Sequence, residues 1–211
     1  MTDRKWATKN IFLIRHAPVN LPYLYGQMDV EASYADKASF EWLFQSLPDE
    51  FTLISSDLGR CVRTAREILA FGAGHANRDF NTTDALREQH FGEWQGQKYE
   101  EIERADKCEY QQFWKDPSRT VPPGGESFSQ MSDRVIDHID QVLTTEHSSQ
   151  NLVIVAHAGP IRALISHALE LSEGKALSFD IAPASLTSLT LHEDGTSRQW
   201  AAHFINRVAC G

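Results

Sequence analysis

The sequence is poor in cysteine and in long apolar runs, and each shortage excludes a class of protein. Its 211 residues contain three scattered cysteines, Cys61, Cys108 and Cys210, with no C-x-x-C pair. This argues against a disulfide framework and a zinc cluster, and it favours a reducing compartment. No apolar run approaches the ~18 residues of a membrane span, and residues 1–10 lack the apolar core of a signal peptide. We therefore expect a cytoplasmic protein with no membrane partner.

Positive charge is scarce as well. The chain has 20 lysines and arginines against 29 acidic residues, a formal net charge of −9, and no basic tract. Nucleic acid is therefore not an expected partner. The nine histidines form no H-x-x-x-H pair and do not cluster with cysteine, so we predict no metal site. An acidic chain can still bind a phosphate ester where it concentrates cations locally.

The chain does contain an alternation of short apolar segments and amphipathic helical patterns. Strands are predicted at Ile11–Ile14, Phe51–Ser55, Phe80–Ala85 and Asn151–Ala156, and a hairpin at Leu186–His192 and Gln199–Phe204. Helices are predicted at Ser33–Ser46, Leu58–Phe71, Tyr99–Ala105, Glu109–Trp114, from Ser127 or Ser129 to about Thr145, and at Ile161–Leu169. This order predicts an α/β fold, a three-layer α/β/α sandwich with a mostly parallel central sheet.

Two of the predicted strands end in the same way. The first leads into Arg15-His16 and the strand at Asn151–Ala156 leads into His157, each followed by small residues and proline. Ligands of open α/β sheets bind at the carboxyl ends of strands, so the two histidines face each other if the strands are neighbours. Arg60 follows a third strand, in the first turn of a helix. Cations and helix N-termini that converge in this way favour an anion.

Four motifs, in order along the chain, resemble those of one known family. They are Arg15-His16-Ala17, Ser56-Asp57-Leu58-Gly59-Arg60, Leu86-Arg87-Glu88-Gln89-His90-Phe91-Gly92-Glu93-Trp94 and Val155-Ala156-His157-Ala158-Gly159. Together with Pro123-Gly124-Gly125-Glu126-Ser127, they are similar to the histidine phosphatase superfamily, phosphoglycerate-mutase-like branch. The stretch Tyr25-Gly26-Gln27-Met28-Asp29-Val30 looks more like α-ribazole-phosphate phosphatases than like glycolytic mutases.

The resemblance implies a metal-independent phosphomonoester hydrolase that uses no cofactor and acts through a phosphohistidine intermediate. Its substrate would be a small phosphorylated metabolite such as α-ribazole 5′-phosphate. His16 matches the nucleophile and Glu88 the general acid, and His157 completes the catalytic set. The positions that match phosphate ligands are Arg15, Arg60, His157 and Ala158, and we expect Tyr25, Gly26 and Gln27 to contact the substrate. We expect one domain over residues 1–211, with residues 86–123 as an excursion over the active site.

The sequence departs from the family pattern at one phosphate ligand and offers a second acid. The asparagine common six positions after the nucleophile is Pro22 here, and Asn20 lies nearby with its role as a ligand open. Glu93 competes with Glu88 as the general acid, and we assign Glu93 either to the surface or to a position that supports the site without touching the substrate.

Other functions remain open at this point. A phosphomutase needs extra cations for a second anionic group, and residues 86–123 supply Lys98, Arg104, Lys107, Lys115 and Arg119. A non-catalytic member would only bind phosphorylated ligands.

Aromatic residues near the strand ends either stack on a flat substrate ring or cover the core: Tyr23, Tyr25, Phe91, Trp94 and Trp114. An edge strand and the C-terminal hairpin offer surfaces for a homodimer.

Overall fold

Six strands form one mixed sheet in the computed structural model, which describes residues 6–144 and 149–209. The strands are β1 (Ala7–Arg15), β2 (Thr52–Ser56), β3 (Asn81–Thr83), β4 (Asn151–Ala156), β5 (Leu186–Glu193) and β6 (Arg198–Arg207). Their order in the sheet is β3-β2-β4-β1-β5-β6. The first four strands in this order are mutually parallel, whereas β5 and β6 are antiparallel to their neighbours. The predicted α/β fold and C-terminal hairpin are confirmed.

Helices cover both faces of the sheet. They are α1 (Lys37–Gln45), α2 (Gly59–Leu69), α3 (Tyr99–Ala105), α4 (Lys107–Lys115), α5 (Phe128–Thr144), α6 (Ala158–Ala168) and α7 (Glu173–Ala176). None of the helices in residues 6–144 and 149–209 has the length and hydropathy needed to cross a bilayer.

The alternation of side chains along the central strands creates two separate cores. Ile11 and Leu13 of β1 pack in the core that contains α5 and α6, and Ile14 packs in the core that contains α1 and α2. In β4, Ile154 and Val155 divide in the same way. Successive side chains of a strand point to opposite faces, so a continuous apolar run indicates a sheet covered on both sides. This gives the predicted three-layer arrangement.

Several helix boundaries differ from the prediction. Helix α1 begins at Lys37 rather than at Ser33 because Asp36 caps it, accepting a hydrogen bond from the Ser39 amide at 3.2 Å. Ser127 caps α5, since its hydroxyl accepts from the Gln130 amide at 3.1 Å. Helix α6 begins at Ala158, three residues before the predicted start. The predicted end of the long helix, at about Thr145, lies outside the described residues.

Candidate active site

The two strand-end histidines lie side by side at the centre of the sheet. Strands β1 and β4 are neighbours, with Arg15 opposite Ala156, so the next residue of each strand leaves the sheet at the same edge. The ring centroids of His16 and His157 are 5.0 Å apart, with their planes at 62°. Both side chains are almost fully buried, at 1% and 0% exposure. The structure therefore brings together the two histidines that the motifs single out.

The protonation state and tautomer of His16 follow from its surroundings. Its Nδ1 lies 2.7 Å from the carbonyl oxygen of Ala17, which can only accept a hydrogen bond, so Nδ1 carries the proton and Nε2 keeps its lone pair. Burial lowers the pKa of His16 to about 3, and the nearby guanidinium groups of Arg60 and Arg15 act in the same direction. The imidazole is therefore neutral at physiological pH and its free electron pair is on Nε2.

His157 is held from the β2 side of the sheet. Its Nε2 lies 3.0 Å from the Ser56 hydroxyl and 3.3 Å from Cys61 Sγ. Burial lowers the pKa of His157 well below its usual range, helped by the proximity of His16 and Arg60. Burial raises the pKa of the Cys61 thiol, which therefore remains protonated. His157 is thus a neutral imidazole with a fixed orientation.

Two arginines bring positive charge to the histidines. Arg60, in the first turn of α2, is 1% exposed and donates to the carbonyls of Met28 at 2.7 Å and Gly26 at 2.6 Å. Arg15 donates through Nη1 to the carbonyl of Ile181. In both arginines the buried Nε has no hydrogen-bond partner among the described residues. Buried donors normally find a partner, so these two indicate a site for an oxygen-rich anion.

Glu88 approaches the histidines from the loop that follows β3. Its Oε1 accepts hydrogen bonds from the Gly159 amide at 3.1 Å and from the Gln89 amide at 3.0 Å. A Cβ atom on Gly159 would lie 2.1 Å from Glu88 Oε1, so only glycine permits this contact. The first turn of α6 and the Glu88 carboxyl are therefore fitted to each other.

The carboxylate of Glu126 holds in place the loop that contains Glu88. Its Oε1 accepts from the His90 amide at 2.9 Å, from Arg134 at 2.7 Å and from the Gln27 side chain at 3.3 Å. Arg134 also donates to loop carbonyls, among them that of Ala85 at 2.8 Å. Glu126 belongs to a motif in the sequence, although no role was predicted for it. Arg134 has no sequence signal, because its partners come together only in the folded chain.

A cavity of about 700 Å³ opens beside this cluster. Predicted site residues that line it are Arg15, Tyr25, Gly26, Glu88 and Ala158. His16, His157 and Arg60 lie behind these residues, because none of the three is part of the lining and all are buried. Much of the remaining lining is aromatic, with contributions from Tyr23, Trp94, Tyr99, Tyr110 and Trp114. Residues 86–123 therefore form much of the rim of the cavity.

Some predicted residues lie elsewhere, and one cavity residue was not predicted. Asn20 and Glu93 are exposed and outside the lining, and Gln27 lies behind it with its amide donating to the Glu88 carbonyl at 3.0 Å. Arg162, one turn into α6, lines the cavity. Arg162 follows Gly159 by three residues, a spacing that puts two residues on the same face of a helix. This spacing indicates a cavity residue once α6 is known to begin at Ala158.

Comparison with known proteins identifies the family. The fold resembles that of an Escherichia coli putative α-ribazole-5′-P phosphatase, with a TM-score of 0.82 at 20% identity over 96% of this chain and 98% of that one. A glucosyl-3-phosphoglycerate phosphatase of Mycolicibacterium vanbaalenii is 29% identical over 77% of this chain and 75% of its own. A 2,3-bisphosphoglycerate-dependent phosphoglycerate mutase of Cytophaga hutchinsonii is 30% identical over 82% and 83%. The model of the histidine phosphatase superfamily (branch 1) matches residues 11–203, so the chain belongs to that superfamily.

Proposed function

We propose that this chain hydrolyses phosphomonoesters of small metabolites through a phosphohistidine formed on His16. The observation that carries the proposal is the state of His16, a buried neutral imidazole with its lone pair on Nε2. Attack on phosphorus needs such a lone pair, and the cations that keep the ring neutral are also suited to bind phosphoryl oxygens. The family membership supports the same chemistry.

In the first step, His16 Nε2 bonds to phosphorus while the bond from phosphorus to the ester oxygen breaks. Charge on the three phosphoryl oxygens is stabilised by His157 and by Arg15 and Arg60, whose buried Nε atoms have no partner in the described part of the chain. The Ala158 amide, at the start of α6, adds a donor at a helix N-terminus. Positioned donors of this kind provide most of the catalysis in phosphoryl transfer.

Glu88 provides the proton in this proposal. Protonated Glu88 gives its proton to the leaving oxygen, which departs as an alcohol. A water molecule then attacks phosphorus, its proton passes to the Glu88 carboxylate, and the bond from phosphorus to nitrogen breaks. This returns neutral His16 and free phosphate, so one residue acts as acid and then as base.

Hydrolysis is the activity that we favour over the mutase alternative. The cations of residues 86–123 do not supply the second anion site of a mutase, because all five are exposed and outside the cavity lining: Lys98, Arg104, Lys107, Lys115 and Arg119. One relative is named a mutase and others are named phosphatases, acting on glucosyl-3-phosphoglycerate and on phosphoserine.

The proposal covers one domain acting on a dissolved phosphate ester in the cytoplasm. The free thiols of Cys61 and Cys108 suit that compartment.

The test is phosphate release from a panel of esters in the presence of EDTA. The panel contains p-nitrophenyl phosphate, α-ribazole phosphate, 3-phosphoglycerate and several nucleotides. We expect the wild type to release phosphate and to retain labelled phosphate after rapid quenching, and His16→Ala to do neither. His203→Ala, an exposed histidine of β6, is the control and should behave as the wild type. An active His16→Ala variant, or loss of activity in EDTA, would refute the proposal.

A further inference from the structure

Arg162 is a cation in the cavity wall for which the proposed chemistry has no use. It lies on α6, three residues after Gly159 and four after Ala158, so the three share one face of the helix. All three line the cavity, together with Glu88. Helical geometry puts the backbone of Arg162 about 4.5 Å further along the axis than that of Gly159. Arg162 therefore adds a guanidinium to the part of the cavity wall that contains Ala158, Gly159 and Glu88.

The guanidinium of Arg162 has N–H donors that no described residue accepts from. Its Nε donates to the Phe179 carbonyl at 2.8 Å, which fixes the plane of the group. No other hydrogen bond of this side chain, and no carboxylate within 4.0 Å of it, occurs in residues 6–144 and 149–209. By contrast, Arg87 and Arg134 are paired with Asp57 and Glu126. Both terminal nitrogens of Arg162 are thus available to a ligand.

Burying part of the charged Arg162 side chain costs free energy, and an anionic ligand would offset that cost. Burial lowers the pKa of Arg162, an effect that the Glu88 carboxylate opposes. The group nevertheless stays charged, since arginine does not lose its proton in proteins. The rest of the wall is largely apolar, and the Asp180 carboxylate also raises the pKa of Arg162. Neither Glu88 nor Asp180 accepts a hydrogen bond from the terminal nitrogens of Arg162 within the described residues. The planar pair of terminal nitrogens matches the geometry of a carboxylate or phosphate.

We propose that Arg162 forms an anion subsite for the leaving part of the substrate, so that preferred esters carry a carboxylate or a second phosphate near the ester bond. The inference rests on the proposed function, because it takes the leaving oxygen to lie at Glu88. A group attached to that oxygen then extends towards Arg162 along the face of α6 that lines the cavity. The exposed cations of residues 86–123 play no part in this subsite.

The test compares matched pairs of substrates. 3-Phosphoglycerate and glycerol 3-phosphate have the same carbon chain, and only the first has a carboxylate. Glycerol 1,3-bisphosphate and glycerol 3-phosphate differ in a second phosphate on the same three-carbon chain, so the two pairs separate the two sources of negative charge. We expect the wild type to prefer the more anionic member of at least one pair by about tenfold to a hundredfold in kcat/KM, the usual effect of a hydrogen-bonded charge.

Two variants and one control connect that preference to Arg162. Arg162→Gln should remove most of the preference, mainly through a higher KM for the anionic ester, and Arg162→Lys should keep part of it. Arg104→Gln makes the same chemical change at an exposed position of α3 and should keep all of it. A role confined to holding the Phe179 carbonyl predicts instead that Arg162→Gln slows both members of a pair equally.

The outcomes for the two proposals are distinct. A wild type that hydrolyses both members of each pair equally well overturns the subsite without any variant having to fold. An unchanged preference in Arg162→Gln does the same. If the wild type hydrolyses no ester at all, the proposed function fails, and the subsite fails with it.

Discussion

At the scale of single residues, two glutamates that are close in the sequence have different surroundings in the fold. Glu88 and Glu93 are five residues apart, yet Glu88 lines the cavity and accepts two amide hydrogen bonds, whereas Glu93 is exposed. Spacing in the sequence could not separate them. Glu93 follows the turn at Gly92, which has a φ of +56°, and its side chain is exposed although its neighbours Phe91 and Trp94 line the cavity.

The assignment of Glu88 as the acid predicts a dependence on the leaving group. Glu88→Gln keeps the shape of the side chain but has no proton to give. We expect kcat for a poor leaving group, such as the alkoxide of 3-phosphoglycerate, to fall by about 100-fold or more. Hydrolysis of p-nitrophenyl phosphate, whose leaving oxygen needs little protonation, should fall by less than about tenfold.

The matched control for this prediction is Glu93→Gln. It makes the same change five residues away on an exposed side chain, and both substrates should be hydrolysed as in the wild type. Equal losses for the two substrates in Glu88→Gln, or a selective loss in Glu93→Gln, would assign the acid to another residue.

At the scale of elements, the first turn of α6 decides the geometry of the site. The sequence around Pro160 predicts a loop followed by a helix from Ile161, yet the helix begins at Ala158. Proline is accepted in the first turn of a helix, where its missing N–H has no partner to lose. This early start directs the Gly159 amide at Glu88 and puts Arg162 on the cavity side.

The contact between Gly159 and Glu88 predicts the effect of one added methyl group. Gly159→Ala would place Cβ 2.1 Å from Glu88 Oε1, so the carboxyl must move. We expect the leaving-group dependence of Glu88→Gln to reappear, with slow turnover of 3-phosphoglycerate and a smaller effect on p-nitrophenyl phosphate. Parallel kinetics of the two variants on both substrates provide the measurement.

Gly174→Ala is the control for this substitution. Gly174 lies in α7, and a Cβ there meets nothing within 4 Å, so turnover should be unchanged. Wild-type kinetics in Gly159→Ala would show that Glu88 does not need its present position. A uniform loss on both substrates would indicate general damage to the site.

Local patterns predicted most of these elements, and the failures have physical causes. Apolar runs in β1, β2 and β4 marked the buried strands because both faces of each are covered. The start of α1 was wrong because Asp36, and not Ser33, supplies the capping oxygen. The four-residue helix α7 was missed because a single turn has too few residues to show a helical period.

At the scale of the whole molecule, the site combines residues that are far apart in the sequence. His16, Arg60 and His157 come together because β1, β2 and β4 are adjacent and end at the same edge of the sheet, and Glu88 joins them from the loop after β3, the next strand of the sheet. Family resemblance was needed to link them, since spacing alone does not reveal strand order. Arg134 remained hidden because its partners are supplied by tertiary packing, for which the sequence has no period or motif. Arg162 was missed because α6 begins at Ala158, three residues before the predicted start.

Burying two neutral histidines at the centre of the fold has a consequence for acid stability. His16 has a pKa of about 3 in the folded chain and an ordinary value near 6.5 when unfolded. Between these values the unfolded chain binds a proton that the folded chain does not, so the free energy of unfolding decreases as the pH falls. From pH 7 to pH 5 this amounts to about 2 kcal/mol for His16 alone, and His157 contributes in the same direction.

Urea unfolding of wild type and His16→Gln at pH 7 and pH 5 tests this linkage. The variant should lose about 2 kcal/mol less than the wild type between the two pH values, because glutamine does not titrate. His203→Gln, which changes an exposed histidine of β6, should follow the wild type. Equal losses in all three proteins would mean that His16 takes up its proton without unfolding. The lowered pKa that we assign to His16 in the folded chain would then be wrong.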